Sequence, residues 1–207
     1  MAGRDRDRGV SKRTEHGEAR MKSWNYVKKR LESEFMAPSL RGRVTYFMTR
    51  YDHAHDKAGR VAVRVDGKEI LKGSDMSWWI RGTEYEKRVL ELFPEIRDLK
   101  SQKQREEAVW NAAVDLGCIT RGDIYDAYDT FENQSIDDSL NGKNGLVKLF
   151  AVLDRRVGKR RLKKLWDEQW GRETVWLLPF LYLRLEAEGI MVPGKESADR
   201  ASPEGER

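Results

Sequence analysis

Hydrophobic positions change period along this chain, and each change marks a structural boundary. From Ser23, the apolar residues Trp24, Val27, Leu31 and Phe35 recur at three- and four-residue steps, the spacing of one helix face. Ala37-Pro38 ends that run, because the residue before a proline avoids helical backbone angles. The period then drops to two. In RVTYFMTRY (43–51), Val44, Tyr46 and Met48 alternate with Thr45, Phe47 and Thr49. In VAVRV (61–65), Val61, Val63 and Val65 alternate with Ala62 and Arg64. Asp66-Gly67 is a two-residue hairpin signal, and KEIL follows it. These runs predict a three-stranded antiparallel meander whose first turn is DHAHDKAG.

After Gly73 the helical period returns. Tyr85, Val89, Leu92 and Phe93 form one stripe, stopped by Pro94. Ser101 with Gln104 has capping-box spacing, and Ala108, Val109, Ala112 and Leu116 follow before Gly117. Thr120 with Asp123 can cap a helix carrying Ile124, Ala127, Tyr128 and Phe131. A short turn begins at Ser135, with Ile136 and Leu140. Asn144 can cap a helix with Leu146, Leu149, Phe150, Leu153 and Val157, and Gly158 is placed to end it. A second helix is expected from about Lys159 to Trp170, closed by Gly171. The last helix begins near Pro179 and closes at Gly189.

The predicted fold class is α+β: an N-terminal helix, a three-stranded antiparallel β-meander, then a mostly α-helical C-terminal half. Residues 1–20 and 193–207 are polar, with almost no large apolar side chains. They are expected to be a disordered charged leader and a disordered polar tail, flanking a single domain over 21–192. Met21 opens the patterned region and is a candidate natural start.

Composition narrows the class of protein. The seven Trp and seven Tyr are unlike a disordered chain. A lone cysteine, Cys118, cannot form an internal disulfide framework; it is expected to be a buried structural thiol in a reducing compartment. The start has no apolar segment of the secretory type, and the apolar run Val175 to Leu183 is too short to span a bilayer. A cytoplasmic location is expected, with no membrane partner. The 40 basic and 35 acidic residues leave a net charge of +5, a mild bias rather than the clustered excess of a dedicated nucleic-acid binder.

Particular segments resemble a family of small uncharacterised bacterial proteins, found in Firmicutes and some enterobacteria. The resemblance rests on SLRGRV (39–44), TRYDHAHDKAGRVAVRVDGKEI (49–70), LDRRVGKRRLKKL (153–165) and the closing EAEGI (186–190). It covers nearly all of 21–192, with GKRRL its most specific part. It implies a folded unit and transfers no activity.

Three function classes stay open. VLDRRVGKRRLKKLW (152–166) places seven Lys or Arg around one Asp. Arg155, Arg156, Lys159, Arg160, Arg161, Lys163 and Lys164 on a helix-break-helix suit phosphate binding, since each neutralised phosphate releases counterions. The same run reads as the wet face of a packed helix: Leu162, Leu165, Trp166 and Trp170 lie on the opposite side, and Lys163 to Asp167 and Lys164 to Glu168 are i,i+4 pairs. Asp154 is expected to reach Gly158, Lys159 or a distant arginine. The first class is therefore a non-enzymatic nucleic-acid or polyanion-binding protein. The second is an interaction module whose arginines meet an acidic protein. The third is a metal-dependent hydrolase or nuclease, since His53, His55 and Asp56 have ligand chemistry and Asp66 with Lys68 resembles a nuclease pair. Against it, a polar hairpin turn accounts for the same residues.

Other chemistry has little support. Cys118 has no neighbouring base to activate it. The absence of GxxxxGK[ST] and GxGxxG leaves nucleotide binding by a phosphate loop unsupported, and no cofactor is expected. Trp78 and Trp79 are expected to be core rather than base-stacking residues.

Overall fold

The computed structural model describes residues 22–50, 58–75, 86–170 and 174–191. Ser23 caps α1 (Trp24–Lys29) by accepting from the Tyr26 N–H. The helix then widens into a π-helical turn over Arg30–Phe35 and stops before Met36, whose backbone is extended. The predicted apolar stripe is real: Val27 and Leu31 are buried, and Trp24 and Phe35 pack against the same core.

The meander is present, with strand order β1-β2-β3. It comprises β1 (Val44–Arg50), β2 (Gly59–Val65) and β3 (Lys68–Ser74). Asp66 and Gly67 have φ of 48° and 82°, as expected for a turn that follows the twist of its strands. Arg43 fixes the same turn. Its backbone carbonyl accepts the Asp66 N–H at 2.7 Å, and its guanidinium makes two bonds to the Asp66 carboxylate. Val44, Tyr46, Val61, Val63 and Leu71 turn inward, so the alternation in the sequence picks the buried face correctly. The outer edge of β1 is not bare, because the Tyr46 N–H donates to a Glu32 carboxylate oxygen at 2.7 Å.

The helical half contains α2 (residues 86–92), α3 (Gln102–Asp115), α4 (Arg121–Asn133), α5 (Ile136–Asn141), α6 (Gly145–Leu153), α7 (Lys159–Asp167) and α8 (Leu178–Ala187). Thr120 and Asp123 form the expected capping box, and Ser135 and Asn144 cap α5 and α6. Ser101 departs from expectation. It is the N-cap of α3, but its side chain makes no capping bond. The stripe on α2 is also narrower than expected, since Val89 is buried while Leu92 is exposed.

All of α6 is buried, as its near-continuous apolar sequence requires. It carries the aromatic spine of the core. Tyr46 on β1 meets Phe150 edge-on at 5.7 Å, Phe150 meets Phe131 on α4 at 5.8 Å, and Phe131 meets Phe35 at 5.1 Å. Such edge-to-face pairs add to their area burial. A smaller cluster of Val89, Ile96, Val109, Ala113 and Cys118 lies beside the main one. Cys118 is a buried thiol, in accord with its predicted structural part. Among the described residues, no helix is long and apolar enough to cross a membrane.

Candidate polyanion-binding surface

The break between α6 and α7 is not made by Gly158. The expectation that this glycine ends the preceding helix is corrected here: α6 stops at Leu153, and Asp154 is already extended at ψ 140°. Gly158 instead begins α7 as its N-cap, with φ −80° and no side-chain cap. The cause is tertiary. The chain after Leu153 pairs with the segment after α1: the Ala37 N–H donates to the Leu153 carbonyl at 2.9 Å and the Arg155 N–H to the Phe35 carbonyl at 2.7 Å. These bonds replace the next helical turn. Val157, predicted on the helix, is buried within the break.

This geometry also settles the partner of Asp154, which is fully buried. It neither reaches forward to Gly158 nor to Lys159. Its carboxylate accepts the Arg156 backbone N–H at 2.7 Å, Arg156 Nε at 3.0 Å and Nη2 at 2.9 Å. Positions two apart face each other because the chain there is no longer helical. The Arg156 guanidinium also lies over the rings of Phe35 and Phe131, at 5.6 and 5.4 Å. Arg156 therefore holds the break together through Nε and Nη2, although its side chain is 42% exposed.

A second ion pair, which sequence reading missed, braces the break from below, its arginine buried and its glutamate partly so. Arg184 on α8 is 3% exposed. Its Nη2 donates to the Val157 carbonyl at 3.1 Å; Nη1 donates to Ser39 Oγ at 2.8 Å and to Glu188. Burial pulls the Arg184 pKa below its ordinary value, opposed by Glu188 and Asp154. The Ser39 hydroxyl and Arg184 hold the Glu188 carboxyl below its usual range, against its partial burial, with a smaller contribution from Lys159. The signal was present in the sequence: an arginine inside the apolar run LPFLYLRLEAEG, with a glutamate four positions on.

A pH dependence follows. Because its folded pKa is depressed, Glu188 contributes stability above its ordinary pKa of 4.5, and that stability is lost as pH falls through the lowered value. In thermal melts from neutral to acidic pH, Glu188→Gln should melt below the parent at neutral pH. The two curves should converge in acid. A constant gap down to strongly acidic pH would contradict this.

The remaining cations divide by partner. Arg161 reaches Asp137 on α5 at 2.9 Å, and Lys164 reaches Glu168 at 3.5 Å. Both are surface pairs, of the kind worth at most about 1 kcal/mol. Arg155, Lys159, Arg160 and Lys163 are exposed, and no ion pair to them occurs among the described residues. Lys163 and Asp167 do not form the i,i+4 bridge their spacing allows. Leu162 and Leu165 are buried and Trp166 packs on the core, so at 100° per residue Lys159, Arg160, Lys163 and Lys164 share the solvent face of α7. Beside them, between α5 and α7, opens a groove of about 380 Å³, lined by Asp137, Leu140, Asn141, Arg160, Arg161, Lys164, Leu165 and Glu168. The Trp170 indole N–H donates to the Leu140 carbonyl at 2.7 Å and ties the end of the α7 segment to α5.

The metal candidates His53, His55 and Asp56 lie outside the described residues, as do Trp78 and Trp79. Among the described residues, no group of three or more His, Cys, Asp or Glu is arranged to hold a metal ion. Asp66, offered as a nuclease carboxylate, is bound by Arg43, which lowers its pKa.

Fold and surface together define an α+β protein that carries an exposed cationic face on a hydrogen-bonded helix-break-helix. The chain belongs to the SF0329 protein family, whose model matches residues 23–185. No curated protein and no solved structure matches it.

Proposed function

We propose that this chain is a non-enzymatic, cytoplasmic polyanion-binding protein that meets the phosphates of nucleic acid with the α6–α7 break and the solvent face of α7. One observation carries the reading. Arg155, Lys159, Arg160 and Lys163 stay exposed without ion-pair partners among the described residues, while Asp154, Arg156 and Arg184 hold the backbone beneath them. A rigid mount reduces the side-chain and loop ordering that binding would otherwise cost. Three successive cations at the start of α7, with no acidic residue in its first turn, are unfavourable beside the positive end of the helix dipole. A bound phosphate relieves this.

The test is a titration of full-length protein with labelled nucleic acid at increasing salt. The logarithm of affinity should fall linearly with the logarithm of salt, by about 0.7–0.9 per phosphate contacted. The double variant Arg160→Glu, Lys163→Glu should bind at least tenfold more weakly, by roughly 1.4 kcal/mol or more, with an unchanged melting temperature. Absent or salt-insensitive binding to both DNA and RNA would remove this function and leave an acidic protein as the partner for the same cations.

A further inference from the structure

The groove beside α7 is chemically unlike a plain phosphate site. At its base lie the side chains of Leu140 and Leu165, almost wholly buried at 2% and 6% exposure. The α7 rim carries Arg160, Arg161 and Lys164, with Glu168 paired to Lys164; the other carries Asp137 and Asn141. The Asn141 amide nitrogen donates to the Asp137 backbone carbonyl at 2.9 Å, which turns its oxygen into the remaining acceptor. Asp137 and Glu168 would repel a bare phosphate or an acidic peptide placed there. A nucleobase has what this lining complements: apolar faces for the leucines, edge N–H groups for the Asp137 carboxylate and Asn141 oxygen, and an attached phosphate for Arg160 and Lys164. The volume of about 380 Å³ lies in the range of small-ligand clefts.

We propose that the groove between α5 and α7 seats one base of a single-stranded nucleic acid, with that strand's phosphates on the cations of α7. The proposal rests on the polyanion-binding reading and adds the polymer's form and the point of base contact. A base inside a duplex is stacked and paired, so it cannot enter without being flipped out. In an unpaired strand its faces and edges are available. The Arg161–Asp137 pair spans the groove at the surface, with side-chain exposures of 37% and 63%, so a base edge can replace it at little cost.

The experiment compares three probes on the full chain: a short deoxycytidine strand, an abasic strand with the same number of phosphates, and inorganic polyphosphate. Cytosine offers an exocyclic amino donor that a carboxylate accepts. The deoxycytidine strand should bind about tenfold more tightly than the abasic one, the scale of one well-seated base. Asp137→Asn should erase most of that preference. Removal of its negative charge should leave polyphosphate binding unchanged or tighter, so only the base-bearing strand loses affinity. Asn141→Ala, at an exposed position, should reduce the base preference without moving the melting temperature. Equal affinity for base-bearing and abasic strands, or an Asp137→Asn variant that tightens on all three probes, overturns the base site and leaves polyanion binding intact. No binding to any probe overturns both.

Discussion

Arg184→Ala should lower the unfolding free energy by about 3–5 kcal/mol, the range found when one member of a buried ion pair is removed. The reason lies in what remains. Glu188 keeps its carboxylate with the hydroxyl of Ser39 as its near partner, and the Val157 carbonyl loses its guanidinium donor in a closed site. A cavity is left where the side chain packed. In a chain of this size the melting temperature should drop by about 10 °C. Arg184→Lys should fall between, since it keeps a charge but cannot reach Ser39, Glu188 and Val157 from one planar fork. Arg155→Ala, at an exposed position in the same break, should stay within about 0.5 kcal/mol of the parent. Chemical denaturation of the three variants decides the matter; equal stability of Arg184→Ala and the parent would show that the brace contributes nothing.

The second large effect concerns the joint between sheet and helices. A Cβ at Gly73 would lie 1.9 Å from the Ile119 carbonyl oxygen, an immovable backbone atom at the α3–α4 turn. Gly73→Ala must push β3 away from that turn and should cost about 3 kcal/mol, the upper part of the usual range for overpacking. Nearby, Asp75 accepts the backbone N–H groups of Gly59 and Arg121 and the Arg121 guanidinium, so the displacement would disturb bonds on both sides of the joint. Gly122→Ala is the control. Its Cβ would meet Thr120 Oγ1 at an ordinary 3.6 Å, and within α4 it should stabilise by about 0.5–1 kcal/mol. Thermal melts of both variants should therefore move in opposite directions.

The cationic face was legible in outline. Spacing alone put Leu162 and Leu165 inward and the lysines outward, because a helix repeats every 3.6 residues whatever it packs against. Which cations remain available was not legible. Arg155 and Arg156 are adjacent, chemically identical and both exposed, yet Arg155 has no ion pair among the described residues while Arg156 is held on Asp154. The difference depends on where α6 stops, and that depends on Phe35 and Ala37, more than a hundred residues earlier. Asp137, which pairs with Arg161 and lines the groove, likewise comes from a helix that the sequence does not link to α7.

By itself, the sequence determined the local periods, the meander and its buried face, the Asp66-Gly67 turn and the side-chain caps at Thr120 and Asn144. The periods, the turn and the caps depend on backbone sterics and on partners at most a few residues away, and the meander joins strands that follow one another directly along the chain. Only the tertiary structure decided that Leu153 rather than Gly158 ends α6, that Ser101 caps without a side-chain bond, and that Arg184 lies beneath the break. The first and last of those outcomes depend on backbone and charged groups brought together from distant segments, where a buried polar atom must find a partner wherever the fold supplies one; nothing in the structure explains the missing Ser101 bond.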